Sequence, residues 1–299
     1  MPGSLRVDFV LLFCTLLWGA TFSLVKDSLS ETGPYYLNLL RFGLSALVLF
    51  PLFMSRIRNV KRSAVFWGTL LGMTLFAGFA AQTLGLKTTT AGRSAFLTQM
   101  LVIFTPIFQF VIFRNPVRFG TALGVLIVLP GLFLLLAKDS GPFTADFGTG
   151  DALSLACAIF YAFYMVILDH SSRREDLLQL VFIQIASAAI CFALAIVFTG
   201  EKIVSSVSHR YLASVLYLAG ATTLLTTYLQ SKFQKEISAA RAAILYSMEP
   251  VFATVFAFFL LGEVTGPRGL FGGAIILCGV LVSELWTPFL QFLRRNNLR

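Results

Sequence analysis

Of the chain's 299 residues 57% are hydrophobic and only 12% are charged, against about 25% charged in a soluble domain, and the mean hydropathy is +0.84. Too little polar surface exists to cover a water-soluble globule of this length, so the composition excludes a soluble enzyme and indicates an integral membrane protein. The net charge of +9 sits in short clusters between apolar runs, as in Arg56, Arg58, Lys61 and Arg62, which is the pattern of membrane-protein loops and not of a nucleic-acid surface.

A helix needs about 20 mainly apolar residues to cross the ~30 Å hydrocarbon layer. Taken in chain order, ten runs meet that requirement: Val7–Val25, Tyr36–Phe53, Val65–Leu84, Ser94–Phe113, Phe119–Ala137, Gly150–Leu168, Leu177–Phe198, Tyr211–Phe233, Ala239–Leu261 and Arg268–Leu285. Open strands cannot satisfy their backbone in lipid, so each run predicts a helix. The segment 138–149, with Gly141, Pro142 and Gly148, separates a first unit (1–137, spans one to five) from a second (150–285, spans six to ten), and a basic tail follows at 286–299. The four cysteines, Cys14, Cys157, Cys191 and Cys278, fall inside apolar runs and read as small buried residues, not as disulfides.

Loop charge sets the orientation. With a cytoplasmic N-terminus, the inner segments carry Arg6, the Arg56–Arg62 cluster, Arg114, Arg118, Arg173, Arg174, Lys232, Lys235, Arg241 and the basic tail. The outer ones carry Lys26, Lys87, Arg93, Lys138, Lys202, Arg210 and Arg268. The bias predicts both termini inside.

The two units are related. An offset of 148 carries Gln82 to Gln230, Lys87 to Lys235, Arg93 to Arg241, Met100 to Met248, Gly124 to Gly272 and Gly131 to Gly279. Near the start of each unit an offset of 143 carries Asp8 to Asp151, Cys14 to Cys157 and Trp18 to Tyr161. Leu and Phe match by chance in any two apolar helices; Gln, Lys and Arg in one register do not. Five is odd, so the second unit enters the membrane from the opposite side. The expected fold is therefore all-α and integral to the membrane, with ten transmembrane helices as two inverted five-helix repeats, an architecture of secondary transporters.

The second unit, through Glu249-Pro250, Gly262-Glu263, Gly272-Gly273 and Gly279-Val280, resembles the EamA-type repeat of the drug/metabolite transporter superfamily. The first resembles it through Trp18-Gly19, Arg41-Phe42 and the stretch "GLKTTTAGRSAFLTQMLVIFTPIFQF". The first unit departs from the pattern: Leu101-Val102 stands where Glu-Pro is expected and Arg114-Asn115 where Gly-Glu is expected, with Pro106 supplying a helix break one turn later. The resemblance implies a central cavity between the halves and export or exchange of a small organic metabolite, amino acids or related compounds favoured. It also implies a bacterial inner (plasma) membrane location.

Glu249 is the only acid near the middle of a span, where an ionisable side chain is functional or paired. It reads as a cavity contact and a proton-coupling group, or as a neutral acid serving a backbone disturbed by Pro250. Arg41, about two turns inside the second span, reads as a snorkelling cation, an ion-pair member or a substrate contact; its counterpart is Gln184. Small polar residues at helical spacing, Thr74 and Gln82, Thr98 and Gln99, and Thr222, Thr226 and Gln230, predict inward faces. Trp18, Tyr161, Tyr164 and Tyr246 are candidate cavity walls. The histidines, His170 and His209, are too far apart for a metal cluster or a catalytic pair, and no phosphate-binding loop occurs, so no catalytic residue, metal or cofactor is expected. The partners expected are a small-molecule substrate and lipid, with no nucleic acid; the sequence leaves the oligomeric state open. The rival readings are a membrane-embedded enzyme acting on a lipid-linked substrate, which requires acids or His clustered at a membrane surface, and a non-transporting scaffold, which does not require the duplication.

Overall fold

The computed structural model describes residues 2–114, 119–136, 147–204, 206–233, 236 and 245–296. The expectations placed on Arg118, Lys138, Lys235 and Arg241 lie outside the described residues. All regular structure described is helical: α1 (Pro2–Ser28), α2 (Pro34–Met54), α3 (Arg62–Gly85), α4 (Ala91–Thr98), α5 (Leu101–Phe113), α6 (Phe119–Leu136), α7 (Thr149–Ser172), α8 (Leu177–Thr199), α9 (His209–Ala219), α10 (Thr226–Phe233), α11 (Glu249–Leu261) and α12 (Pro267–Asn296). Among the described residues seven stretches are long and apolar enough to cross a membrane, with α4–α5 and α9–α10 each counted as one, and Ala122–Leu135, Glu249–Leu261 and Pro267–Val282 are shorter apolar helices. Large apolar side chains such as Phe9, Leu47, Phe66, Val197, Phe198, Phe259 and Phe271 point outward, as a lipid-facing belt requires. Cys14 and Cys157 are buried, whereas Cys278 stands on the exposed side.

The repeat is visible in the backbone. α4 stops and α5 restarts across a turn at Gln99–Met100; in the second unit Ser247–Met248 form the same turn before α11. The offset of 148 superposes the two turns and carries the bounds of α5 onto those of α11. Both helices then end on a left-handed residue, Arg114 (φ 56°) and Gly262 (φ 66°), each closing a bond from its amide, to Phe110 O at 2.8 Å and Phe258 O at 3.1 Å. Proline does not set the first break. The sequence places it at Pro106, but Pro106 lies inside α5, where the loss of a single backbone donor is tolerated. Gly suits the left-handed position and Arg does not, at a cost of about 1–2 kcal/mol. Arg114→Gly should therefore raise the melting temperature in detergent, by about 1 kcal/mol of stability, while Arg114→Ala should not; equal melting of both variants would remove the strain argument.

Packing between the units is reciprocal. α1 lies on α11 as α7 lies on α4 and α5; α7 lies on α3 as α1 lies on the α9–α10 span; α2 meets α8, and α6 meets α12. Each contact reappears with the units exchanged, the signature of a two-fold relation. At the α6–α12 seam the pairing is explicit: Gly272 packs on Gly131 O, Gly279 on Gly124 O, and the offset of 148 turns one pair into the other. Small residues are what allow two helix backbones to approach this closely.

The span α9–α10 is not a plain α-helix. Gly220–Leu225 forms a π turn. α3, its counterpart in the first unit, is regular throughout.

Candidate functional site

Between the units lies a cavity of about 100 Å³, room for a few waters or one small solute. Its walls come from both units at matched positions. Trp18 and Tyr161, Thr21 and Tyr164, and Phe22 and Met165 are related by the offset of 143; Leu75 and Thr223, Phe79 and Thr227, Gln82 and Gln230, and Leu101 and Glu249 by 148. The cavity therefore sits on the pseudo-two-fold axis. Its two sides differ in chemistry. Where the first unit offers Leu75, Phe79 and Leu101, the second offers Thr223, Thr227 and Glu249.

Of the residues singled out in the sequence, Trp18, Gln82, Tyr161, Tyr164, Thr222, Gln230, Tyr246 and Glu249 reach the cavity wall, as does Arg41. Thr74, Thr98, Gln99 and Thr226 are buried off it. Thr74 turns its hydroxyl back to Leu71 O at 2.8 Å. Thr98 ends α4 and Gln99 begins the turn that follows, both buried but not on the cavity wall. Thr226 accepts a bond from Trp18 Nε1 at 3.0 Å and orients that indole, whose ring meets Tyr246 edge to face at 5.5 Å.

Thr227, and not Thr226, reaches the wall, as its equivalent Phe79 does in the regular α3, so the face presented runs through Thr223, Thr227 and Gln230 and not through every fourth residue from Thr222. The π turn brings two consecutive residues, Thr222 and Thr223, to Arg41. Other wall residues follow from those already found: Thr21 and Phe22 stand three and four residues beyond Trp18, Tyr164 and Met165 likewise beyond Tyr161, and Phe79 precedes Gln82 by three. That spacing was the available signal for them.

Arg41 is 1% exposed, so it does not snorkel. Nor does it form an ion pair among the described residues: its polar partners there are Thr223 Oγ1, to which Nε donates, and Thr222 O and Oγ1, to which Nη2 donates at 3.3 and 3.0 Å. The guanidinium carbon stands 4.3 Å from the centre of the Phe79 ring. Its counterpart Gln184 is fully buried away from the cavity and accepts a bond from Tyr164 Oη at 3.1 Å.

At one end of the molecule acids of the second unit bind the first. Asp151 Oδ2 pairs with Arg93 Nη2 at 2.7 Å and accepts from Gly148 N at 3.0 Å, while Oδ1 accepts from Thr89 Oγ1 at 2.7 Å. Glu263 pairs with Lys26 at 2.7 Å and accepts the Ala91 amide at 2.9 Å, capping α4. Glu201 accepts the amides of Tyr35 and Tyr36 and caps α2. In the other direction Glu31 accepts from the amide and hydroxyl of Ser208 at 2.7 and 2.6 Å, capping α9. The Ser208 hydroxyl, with its amide, holds the Glu31 carboxyl below the usual carboxylate range. Asp27 pairs with Arg210 at 2.9 Å. At the opposite end the described ion pairs are Arg56–Asp176, between the units, and Arg173–Asp169 along one helix, both substantially exposed. Among the described residues no cluster of His, Cys, Asp and Glu could hold a metal ion.

Comparison with known proteins places this arrangement. The EamA-like transporter family matches residues 5–137 and 148–285. An uncharacterized transporter of Archaeoglobus fulgidus is 30% identical over 94% of this chain and 86% of its own. A probable amino-acid metabolite efflux pump of Salmonella typhimurium is 24% identical over 94% of this chain and 95% of its own. A protein crystal structure 19% identical to the chain, matching 95% of it and 98% of that chain, superposes with a TM-score of 0.68 and so shares the fold.

Proposed function

The chain belongs to the EamA-like transporter family, and on that footing we propose that it is a secondary carrier moving a small organic metabolite across the membrane by alternating access. The observation that carries this reading is the position of the cavity: its walls are built from equivalent residues of two units, so exchanging the conformations of the units moves the same contacts from one side of the membrane to the other. Ten spans in two inverted repeats, with both termini in the cytoplasm of a bacterial cell, are the topology of this proposal, supported by the reciprocal packing of the units and the charge bias of the loops. Export or exchange of an amino acid or related compound is the favoured activity, in line with the efflux pump among the relatives. The acids that tie one end close that face of the cavity, and their release is the opening step.

The test is flux. The purified chain in liposomes, offered labelled amino acids, sugars and nucleotides one at a time, should move a compound of the first class without ATP. Absence of flux across the whole panel defeats the carrier reading. Glu249 is the proton-coupling group of the proposal, since it stands at the cavity wall where its equivalent is Leu101. Glu249→Gln should abolish the dependence of flux on a pH gradient and lower the rate of concentrative uptake about tenfold or more. Wild-type flux that still follows the gradient in this variant would remove Glu249 from coupling.

A further inference from the structure

We infer, resting on the carrier reading above, that Arg41 is the anion subsite of the cavity and takes the carboxylate of a small solute whose apolar body lies against Leu75, Phe79 and Leu101. A guanidinium keeps its charge in proteins, and one buried without a counter-charge is expensive. Where cations of this chain serve structure, they meet acids: Lys26 meets Glu263, Arg93 meets Asp151 and Arg210 meets Asp27. Arg41, more deeply buried than any of these, meets none among the described residues. Threonine oxygens hold Nε and Nη2 in place, and Nη1 is buried with no hydrogen-bond partner. The Phe79 face offsets part of the cost but satisfies no N–H donor.

This site is built, and it exists once. The π turn aims Thr222 and Thr223 together at the guanidinium, and α3, the equivalent of that span, has no such turn. The position equivalent to Arg41 holds Gln184, an uncharged side chain turned away from the cavity. A single cation with one free nitrogen suits one carboxylate oxygen and a charge of minus one. A dianion such as a phosphate monoester would meet Glu249 on the cavity wall, with no second cation among the described wall residues to balance it. The apolar side supplied by the first unit then accommodates the rest of the solute.

Three probes separate the chemistries: phenylacetate, its uncharged isostere phenylacetamide, and phenyl phosphate. Binding of labelled phenylacetate to the purified full chain in detergent, with the other two as competitors, should favour the carboxylate over each competitor by about tenfold or more. Arg41→Gln should erase that preference, and Arg41→Lys should restore part of it by keeping the charge. Thr222→Val with Thr223→Val leaves the cation but not its clamp and should weaken phenylacetate several-fold, which keeps the inference testable if Arg41→Gln does not fold. Equal binding of acid and amide, a preference for the phosphate, or no carboxylate binding at all overturns it. The two readings fail separately. Flux of uncharged solutes that ignores Arg41→Gln ends the anion subsite and leaves a carrier, whereas Arg41-dependent binding without flux of any solute leaves the subsite and ends the carrier.

Discussion

Asp151→Ala is expected to destabilise the protein by about 3–5 kcal/mol, the largest loss of any polar substitution considered. The carboxylate is 95% buried and serves three donors at once: Arg93 Nη2, Thr89 Oγ1 and the amide of Gly148. Removing it takes the acceptor from all three in a place where water reaches poorly, and a buried donor left without an acceptor costs more than a hydrogen bond ordinarily contributes. Arg173→Ala, by contrast, breaks an ion pair whose members are more than half exposed and should cost no more than about 0.5 kcal/mol. Unfolding in mixed detergent micelles measures both. If Asp151→Ala melts with the wild type, the network at that end does not hold the units together.

Gly272→Leu is expected to prevent the native docking of α12 on α6, with little monodisperse protein recovered on size exclusion. A Cβ at Gly272 would stand 2.5 Å from Leu135 N and 2.6 Å from Gly131 O. Both are backbone atoms of a packed helix and neither can swing aside as a side-chain tip would. Overpacking that side chains can absorb costs about 1–3 kcal/mol; here the helices themselves must separate. The two-fold relation makes a second demand, since Gly279→Leu meets Gly124 O and Val128 in the matching pair and should be damaged as badly. Gly43→Ala supplies the contrast, because its nearest neighbour is at 4.0 Å and a helix favours Ala over Gly by about 1 kcal/mol. Recovery of well-behaved Gly272→Leu protein would mean that the seam is looser than described.

Much of the helical architecture was legible because lipid imposes long apolar runs, and because Gln, Lys and Arg repeat at a fixed offset that chance does not supply. The same offset finds paired wall positions such as Gln82 and Gln230. It cannot find what the units do not share. The π turn leaves no periodic trace in Gly220–Leu225, so nothing in the sequence pattern marks the pair Thr222 and Thr223 that it brings to Arg41. The break after α4 needs no proline, and Thr98 and Gln99 beside it are buried but do not reach the cavity wall. Asp151, Glu201 and Glu263 read in the sequence as ordinary acids near helix ends. Their partners across the units lie 58 to 237 residues away, and no local pattern encodes contacts at that separation.

Glu201 and Glu263 join the units and also complete the starts of α2 and α4. Parting the units at this end therefore strips Tyr35, Tyr36 and Ala91 of their amide acceptors, and only solvent can replace them. In the proposed carrier cycle, hydration of those helix starts accompanies the movement and adds to the activation barrier. Turnover should accordingly slow as osmolytes lower water activity, even when the solute on offer and its gradient stay the same.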